Sequence, residues 1–491
     1  MSSRRLILGI DVGTTSVKAG LIDQDGRFVS SFAERYETRR APGGMVEQEA
    51  DDWLRLIDRA TQRMADHAAE IAVIGLCSQV NTHVFLGDDD QPLMPAIVWQ
   101  DGRAQAEADA LTARAADTQP ADHGNPPPPI DASHALSRML WVQRHRPEIW
   151  AATRRVMLPK DYCLLRMTGE ATTDPLSNIG LVGGDLDYVL EVFDLVPGSR
   201  DKMVPLVATT QIAGRMRAGG PMAGIPVVSG TMDAWAGLVG AGAAREGASV
   251  YLSGTSEILG ISAQAVVPTP GAVVFPLSDG IRLHAAPTQS GGDAAMWFSE
   301  TSGLSLEAMS DLVAQTARSD ATPLFLPQLE GERAPLWDAR LRGAYLGLSR
   351  RSSQGDMARA VFEGVALSAR HALELLQASA ATVSDHVTCG GGGFRSKTWA
   401  QIRADVLGVP LRCLVTDEPG VLGAAMIAAV GAGWYDSFDE GQDALAQYQR
   451  DIMPSADAHV RYGELFAIYR DAISANADLG RRLNDLAHLS R

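Results

Sequence analysis

The sequence predicts an α/β protein of two domains, and three observations carry that expectation. Apolar strand-like runs alternate with helical patterns along the chain. Its 491 residues exceed one compact domain. A strand–turn–strand unit bearing Gly-Thr occurs twice, at Gly13-Thr14 and Gly254-Thr255, separated by about half the chain.

Taken in order, "LILGI" is a continuous apolar run and "VKAGLI" leads into "DQDG", a hairpin turn before a third strand in "RFVSSF". "DDWLRLIDRATQRMADHA" has helical spacing at Trp53, Leu54, Ile57 and Ala60, while "IAVIGLCSQV" and "IPVVSG" read as buried strands. The four consecutive prolines of "DHGNPPPPIDAS" predict a surface loop, since proline denies both helix and strand a backbone donor. "ASVYLSGTSEILGISAQ" repeats the opening strand–turn–strand idea. "GDMARAVFEGVALSARHALELLQ" predicts a long helix, the run 421–433 a tightly packed one, and the tail from Phe438 onward is helical, with Leu465, Ile468 and Tyr469 on one face.

Composition narrows the partners. A net charge of -16 argues against nucleic acid, whose phosphates need clustered Lys and Arg. No apolar stretch approaches the roughly 20 residues of a membrane helix, so no membrane partner is expected. The cysteines, Cys77, Cys163, Cys389 and Cys413, lack CxxC spacing and read as reduced thiols of a cytoplasmic protein.

A strand ending in Asp11 and followed by Gly13, Thr14, Thr15 and Ser16 exposes backbone N–H groups and hydroxyls suited to phosphate oxygens. Its acid can orient water around a magnesium ion, and Lys18 adds positive charge. A plain Gly-containing hairpin has the same pattern. Ser253-Gly254-Thr255-Ser256 offers the same chemistry from the other half, so two hairpins could grip one polyphosphate from opposite sides. "CGGGGFRSKTW" strips side chains from Gly390 to Gly393 ahead of a helix carrying Trp399, Ile402 and Val406. It reads as a surface for close nucleotide approach or as a flexible loop. Asp233 follows an apolar strand and opens a helix of small residues, either as a catalytic carboxylate or as an N-cap. There is no GxxxxGK[ST], and His83 in "NTHVF" has no second ligand at metal spacing, so it reads as structural.

Together and in this order, "IDVGTTSVK", "GTMDAWAG", "LSGTS" and "GGGFRSKTW" resemble the FGGY carbohydrate kinase family over nearly the whole chain. "VEQEADDW", "PAIVWQDGR", "LPKDYCLLRMTGE" and "LPQLEGERAPLWDARLRGAYLGL" are similar to its xylulokinase branch, and "GAYLGLSRRSSQGDMARAVFE" to its C-terminal signature. The resemblance implies a two-domain actin-like ATPase (ribonuclease H-like) fold with the active site in the interdomain cleft. The expected blocks are 1–246 for sugar, first phosphate motif and catalytic Asp, 247–437 for nucleotide, and a helical tail 438–491.

It further implies ATP and magnesium, with Asp233 as base toward the substrate hydroxyl and Asp11 and Asp233 at the metal. Gly13, Thr14, Thr15, Lys18, Gly254 and Thr255 would meet the phosphates, and Gly292, Gly391, Gly392 and Ser396 would line the nucleotide pocket. Gln79, Val80, Asn81 and Asp101 would face the sugar. A homodimer follows by family analogy.

Two departures are specific to this chain. Xylulokinases read Gly-Gln-Met-His-Gly where this sequence has Ser78-Gln79-Val80-Asn81-Thr82, so Asn81 replaces a sugar-contacting His, and Trp99-Gln100-Asp101 also matches glycerol kinases. The signature lysine is replaced by Arg138. The expected reaction is transfer of the γ-phosphoryl group of MgATP to a small sugar, a pentulose such as D-xylulose, by a base that an ordinary Asp pKa of about 3.9 keeps ionised. A kinase for glycerol, erythritol or another polyol is the alternative, and a catalytically silent sugar-binding sensor on the same fold is the alternative of another class.

Overall fold

Alternating apolar runs become the strands of two sheets built to one plan. The computed structural model describes residues 5–115, 130–449 and 451–489. The prolines at 126–129 lie outside the described residues.

The chain divides into two compact units. The first comprises Met1–Gly240, Pro276–Gly280 and Pro419–Ala446, and the second Ala241–Phe275, Ile281–Glu418 and Gln447–Arg491. Consecutive blocks do not describe this division, because the stretch 419–446 packs with the first unit although it follows most of the second.

In the first unit, β1 (Leu6–Val12), β2 (Ser16–Asp23) and β3 (Phe28–Arg35) form an antiparallel meander. The strand Ile71–Ser78 adds parallel to β1, Pro226–Val228 adds parallel to that, and Ile212–Arg215 closes the edge antiparallel. The sheet of the second unit repeats the arrangement. Ser249–Ser253, Glu257–Ser262 and Leu283–Pro287 form the antiparallel meander, and Val387–Gly390 and Leu411–Cys413 add in parallel on the other side of the first strand. The repeated Gly-Thr step therefore marks equivalent turns of two equivalent sheets, in keeping with a duplicated two-domain architecture.

Periodicity locates the helices. α1 (Ala50–Arg63) buries Trp53, Ile57 and Ala60 of the predicted face, with Leu56 in the core and Leu54 half-buried at its edge. Pro419–Gly431 is apolar all round because it is enclosed, and it packs on β1 and Ile71–Ser78. Gly9 and Gly75 permit that approach, since a Cβ on either would fall well inside contact distance of the helix carbonyls of Val421 and Ala424.

In the second unit the 27-residue helix Gln354–Ala380 starts with a reciprocal Ser353–Asp356 capping box and packs on Glu257–Ser262 and Leu283–Pro287. The tail forms two helices, Phe438–Leu445 in the first unit and Ala456–Leu489 in the second. Tyr469 is buried there and Leu465 packs on the core, but Ile468 is 58% exposed. The buried stripe of this helix follows Tyr462, Phe466, Tyr469 and Ile473, one position off the predicted face.

Candidate functional site

In the first unit the functional side chains gather where parallel strands end. Asp11 is the penultimate residue of β1 and lies opposite Cys77 on the parallel strand Ile71–Ser78. The short strand Thr231–Met232 pairs with Cys77 and Ser78 and delivers Asp233 as the first residue of the helix Asp233–Ala241. Carboxyl ends of parallel strands are where α/β sheets place ligands.

Asp233 is partly exposed at the surface but closely surrounded by protein. Its Oδ1 accepts the Ala234 N–H at 2.7 Å, as an N-terminal helix acid does. Desolvation, then repulsion from Asp11, pushes its carboxyl up to about 7, against the pull of that N–H and of Lys18. The ordinary acidity expected from sequence is thus corrected: burial, reinforced by Asp11, makes Asp233 a stronger base, poised near neutral pH. Asp11 also lies against Gly420 at the start of the helix Pro419–Gly431, a contact no local motif indicates.

The turn after β1 is held by neutral hydrogen bonds. The Gly13 N–H donates to the Ser16 carbonyl at 3.1 Å and the Gly13 carbonyl accepts from the Tyr36 hydroxyl. The first N–H of the turn is therefore spent inside the turn, and Thr14 and Thr15 carry what remains for a ligand. Trp99 Nε1 donates to Thr14 Oγ1 at 2.9 Å, and Gln48 Nε2 donates to the Thr14 carbonyl at 2.8 Å. Thr15 is exposed, and Lys18 pairs across the hairpin with Asp11.

The residues expected at the sugar fall into two groups. Gln79 and Asp101 are buried with their polar atoms engaged. Gln79 donates to Gln48 Oε1 at 2.8 Å and accepts from Thr82 Oγ1 at 3.1 Å. Asp101 accepts the Val46 N–H at 2.5 Å and binds Arg103, whose Nη2 also reaches Glu47 at 2.9 Å. Val80 and Asn81 are half-buried.

Asn81 adopts φ 53°, a left-handed conformation that Asn tolerates better than most residues, and its Nδ2 donates to Ser133 Oγ at 3.2 Å. The local backbone thus gives a reason for Asn that the motif comparison lacks. Arg138 is fully buried and donates to the carbonyls of Asn81, Ile97 (2.8 Å), Val98 (2.5 Å) and Ala132 (3.3 Å). Desolvation pulls its guanidinium down to about 9. A planar fork reaches this many carbonyls where an ammonium has three donors, so the exchange for lysine is not neutral. His83 is buried beside Arg138, and desolvation holds its ring well below the ordinary histidine value, in line with a structural role.

In the second unit the turn between Ser249–Ser253 and Glu257–Ser262 is one residue tighter, the Gly254 N–H donating at 2.9 Å to the carbonyl of Ser256, two residues on, where Gly13 reaches Ser16, three residues on. Gly254 and Thr255 are exposed. Their carbonyls accept the N–H groups of Gly292 and Asp293, each at 3.0 Å, which sets the helix Gly292–Ser302 against the turn. Burial pushes the Asp293 carboxyl up to about 6.

The glycine quartet is explained differently from the expectation. A Cβ at Gly391 would lie 2.5 Å from the Ser253 carbonyl, and one at Gly393 would overlap Ser253 Oγ, whereas one at Gly392 would meet open space. Two of the glycines thus serve packing against the turn, and Gly392 alone of the three faces open space. Ser396 caps the helix Lys397–Leu407, accepting the Trp399 N–H at 3.1 Å, and meets Ser310 Oγ at 2.6 Å.

Sequence reasoning missed Glu257 and Arg403, and the part Ser253 plays between them. Arg403 Nη2 reaches Glu257 Oε1 at 2.6 Å and Ser253 Oγ at 2.8 Å, and Nη1 reaches the Gly393 carbonyl at 2.7 Å. A charged residue inside the apolar run "SEILGIS" was the available signal. Among the described residues no group of three or more His, Cys, Asp or Glu could hold a metal. The carboxylates Asp11 and Asp233 suit a magnesium ion that takes one or two protein oxygens and completes its shell with phosphate and water.

Comparison with known proteins agrees with this geometry. Residues 6–240 match the N-terminal domain of the FGGY family of carbohydrate kinases, and residues 250–432 its C-terminal domain. The xylulose kinase of Escherichia coli is 31% identical over 475 residues, covering 93% of this chain and 96% of that protein. The gluconokinase of Bacillus subtilis is 26% identical, covering 94% of each chain. The crystal structure of a xylulose kinase from Brucella ovis, 29% identical, superposes with a TM-score of 0.85 over 96% of this chain and 100% of that one. Matched in both halves by the models of one family, the chain belongs to the FGGY family of carbohydrate kinases and is itself a carbohydrate kinase.

Proposed function

We propose that this kinase transfers the γ-phosphoryl group of MgATP to a hydroxyl of a pentulose, with D-xylulose as the first candidate. The observation that carries the reading is the pair of carboxylates on neighbouring strand ends, Asp233 with its raised pKa and Asp11, beside the Thr14 turn. In this mechanism Asp233 orients the acceptor hydroxyl and takes its proton as the oxygen attacks. Thr14, Thr15 and Lys18 in the first unit, and Gly254 and Thr255 in the second, offer donors to the phosphates. Gly392 leaves room for the nucleotide, with Gly292, Gly391 and Ser396 shaping the loops around it. A magnesium ion held by Asp11 and Asp233 would neutralise charge on the transferring oxygens. The transition state of phosphoryl transfer is loose, so alignment and charge stabilisation contribute most of the rate.

Val80 and Asn81 are proposed to face the sugar, while Gln79 and Asp101 act one step back by fixing the loops at 46–48 and 99–103. The xylulose kinase names of several relatives support the pentulose. A second reading, a kinase for a linear polyol or an aldonate, is favoured by Asn81 in place of the expected histidine and by the gluconokinase relative. The free, buried cysteines support a reducing compartment such as the cytoplasm, and among the described residues no helix is long and apolar enough to cross a membrane. A homodimer remains a proposal by family analogy.

Coupled ADP release with D-xylulose, other pentuloses, glycerol, erythritol and gluconate tests the assignment. Preference for D-xylulose by at least tenfold in kcat/KM sustains it. Preference for a polyol or gluconate replaces the sugar, and no release above background with any of them points to a silent sensor.

A further inference from the structure

We propose that Arg403, paired with Glu257, is a positioning residue for nucleotide binding, fastening the glycine loop 390–393 to the turn 253–256 so that the two meet the ligand already set. The inference rests on the nucleotide role proposed for the second unit.

The geometry is that of a clamp between two loops. One guanidinium edge binds the Gly393 carbonyl at 2.7 Å, and the other binds Ser253 Oγ at 2.8 Å and Glu257 Oε1 at 2.6 Å. Glu257 is held in turn by the Tyr251 hydroxyl at 2.6 Å and by Ser253 Oγ at 2.7 Å. Arg403 and Glu257 side chains are both fully buried. The guanidinium lies 4.0 Å from the Trp399 ring centroid, 4.6 Å from Phe394 and 5.2 Å from Tyr251, and Trp399 is itself stacked on Phe362 at 4.4 Å. The plane of the fork is therefore fixed by rings on the helix Lys397–Leu407 and on the loop it ties.

Stability gives no sufficient reason for this pair, because a buried ion pair is commonly replaced by apolar residues without loss. What an apolar pair cannot do is hold a loop carbonyl and a turn hydroxyl at one distance. The tied segments include Gly392, the open point of the loop, and adjoin Gly254 and Thr255, the exposed residues of the turn. Fixing both before the ligand arrives removes an ordering cost from binding.

Two variants of the full chain test this. Arg403→Lys keeps a cation opposite Glu257 but cannot also reach Gly393. The double variant Glu257→Gln, Arg403→Met removes both charges, so neither is left buried alone, and it carries the test if the single variant fails to fold. ATP affinity is measured by calorimetry, alongside the KM values for ATP and sugar and the melting temperature. The expected result is about tenfold weaker ATP binding and a matching rise in KM for ATP, with the sugar KM unchanged and the double variant melting close to the wild type. ATP affinity within twofold of a wild type that binds ATP overturns the positioning role alone. A wild type that does not bind ATP overturns the nucleotide role of the unit, and this inference with it.

Discussion

In both Gly-Thr hairpins the glycine N–H is spent on a carbonyl inside the turn, Ser16 in one and Ser256 in the other, but what supports the two turns differs. The first is tied by neutral donors, Trp99, Gln48 and Tyr36, and sits beside two carboxylates that repel one another. The second is tied by a buried ion pair and by glycines closed against Ser253. A turn of small residues supplies N–H groups and hydroxyls in both places; in the proposed mechanism the surroundings assign one turn to chemistry and the other to nucleotide binding. The difference teaches that a phosphate turn is specified by its support as much as by its own residues.

The largest expected effect separates the two roles. Asp233→Ala should lower kcat about 10³-fold or more while ATP affinity, read by calorimetry, stays within threefold of the wild type. An equal loss in both would break the division between the units.

The second test uses pH. Only deprotonated Asp233 accepts a proton, and its folded pKa is raised, so kcat/KM should fall about tenfold per unit below about pH 7 and level off above it. Lys18 holds that pKa down, so Lys18→Met should move the limb to higher pH. A limb near pH 4 would return Asp233 to ordinary carboxylate acidity, and the absence of any acid limb would remove it from the role of base.

The second hairpin answers to packing instead. Gly393→Ala places a methyl into Ser253 Oγ and should destabilise by about 1–3 kcal/mol in thermal or urea unfolding. Gly392→Ala meets open space and should leave stability unchanged within about 0.5 kcal/mol, while weakening ATP binding if the nucleotide passes there. The smallest expected effect is that of Trp99→Phe, which removes one donor from Thr14 and should raise KM for ATP about threefold, with kcat little changed.

Much of the scaffold was legible in the sequence. Apolar runs located the central strands, and helical spacing located α1, Gln354–Ala380 and the helix after the glycine loop, because burial imposes a period on local sequence. The turn residues and the position of Asp233 at a helix start could be read for the same reason: each is a local constraint. The rest depended on partners distant in the chain. The Arg403–Glu257 contact joins residues 146 apart, so its members look like stray charges in apolar segments until the fold brings them together. The raised pKa of Asp233 comes from burial by the fold, with Asp11 adding to it, and the engagement of Gln79 and Asp101 needs Gln48, Val46 and Arg103. Four glycines in a row suggested open approach, yet two of them are spoken for by Ser253.

The return of Pro419–Ala446 to the first unit bears on how the protein is made. During synthesis β1 and Ile71–Ser78 emerge well before the helix that covers them, which is translated more than three hundred residues later. Until then the sheet face around Gly9 and Gly75 has no lid, and a nascent chain or a product truncated before Pro419 would expose apolar surface prone to aggregation. The first unit is complete only once residue 446 has been made, so a nonsense change between residues 241 and 419 should be as damaging to it as one before residue 240.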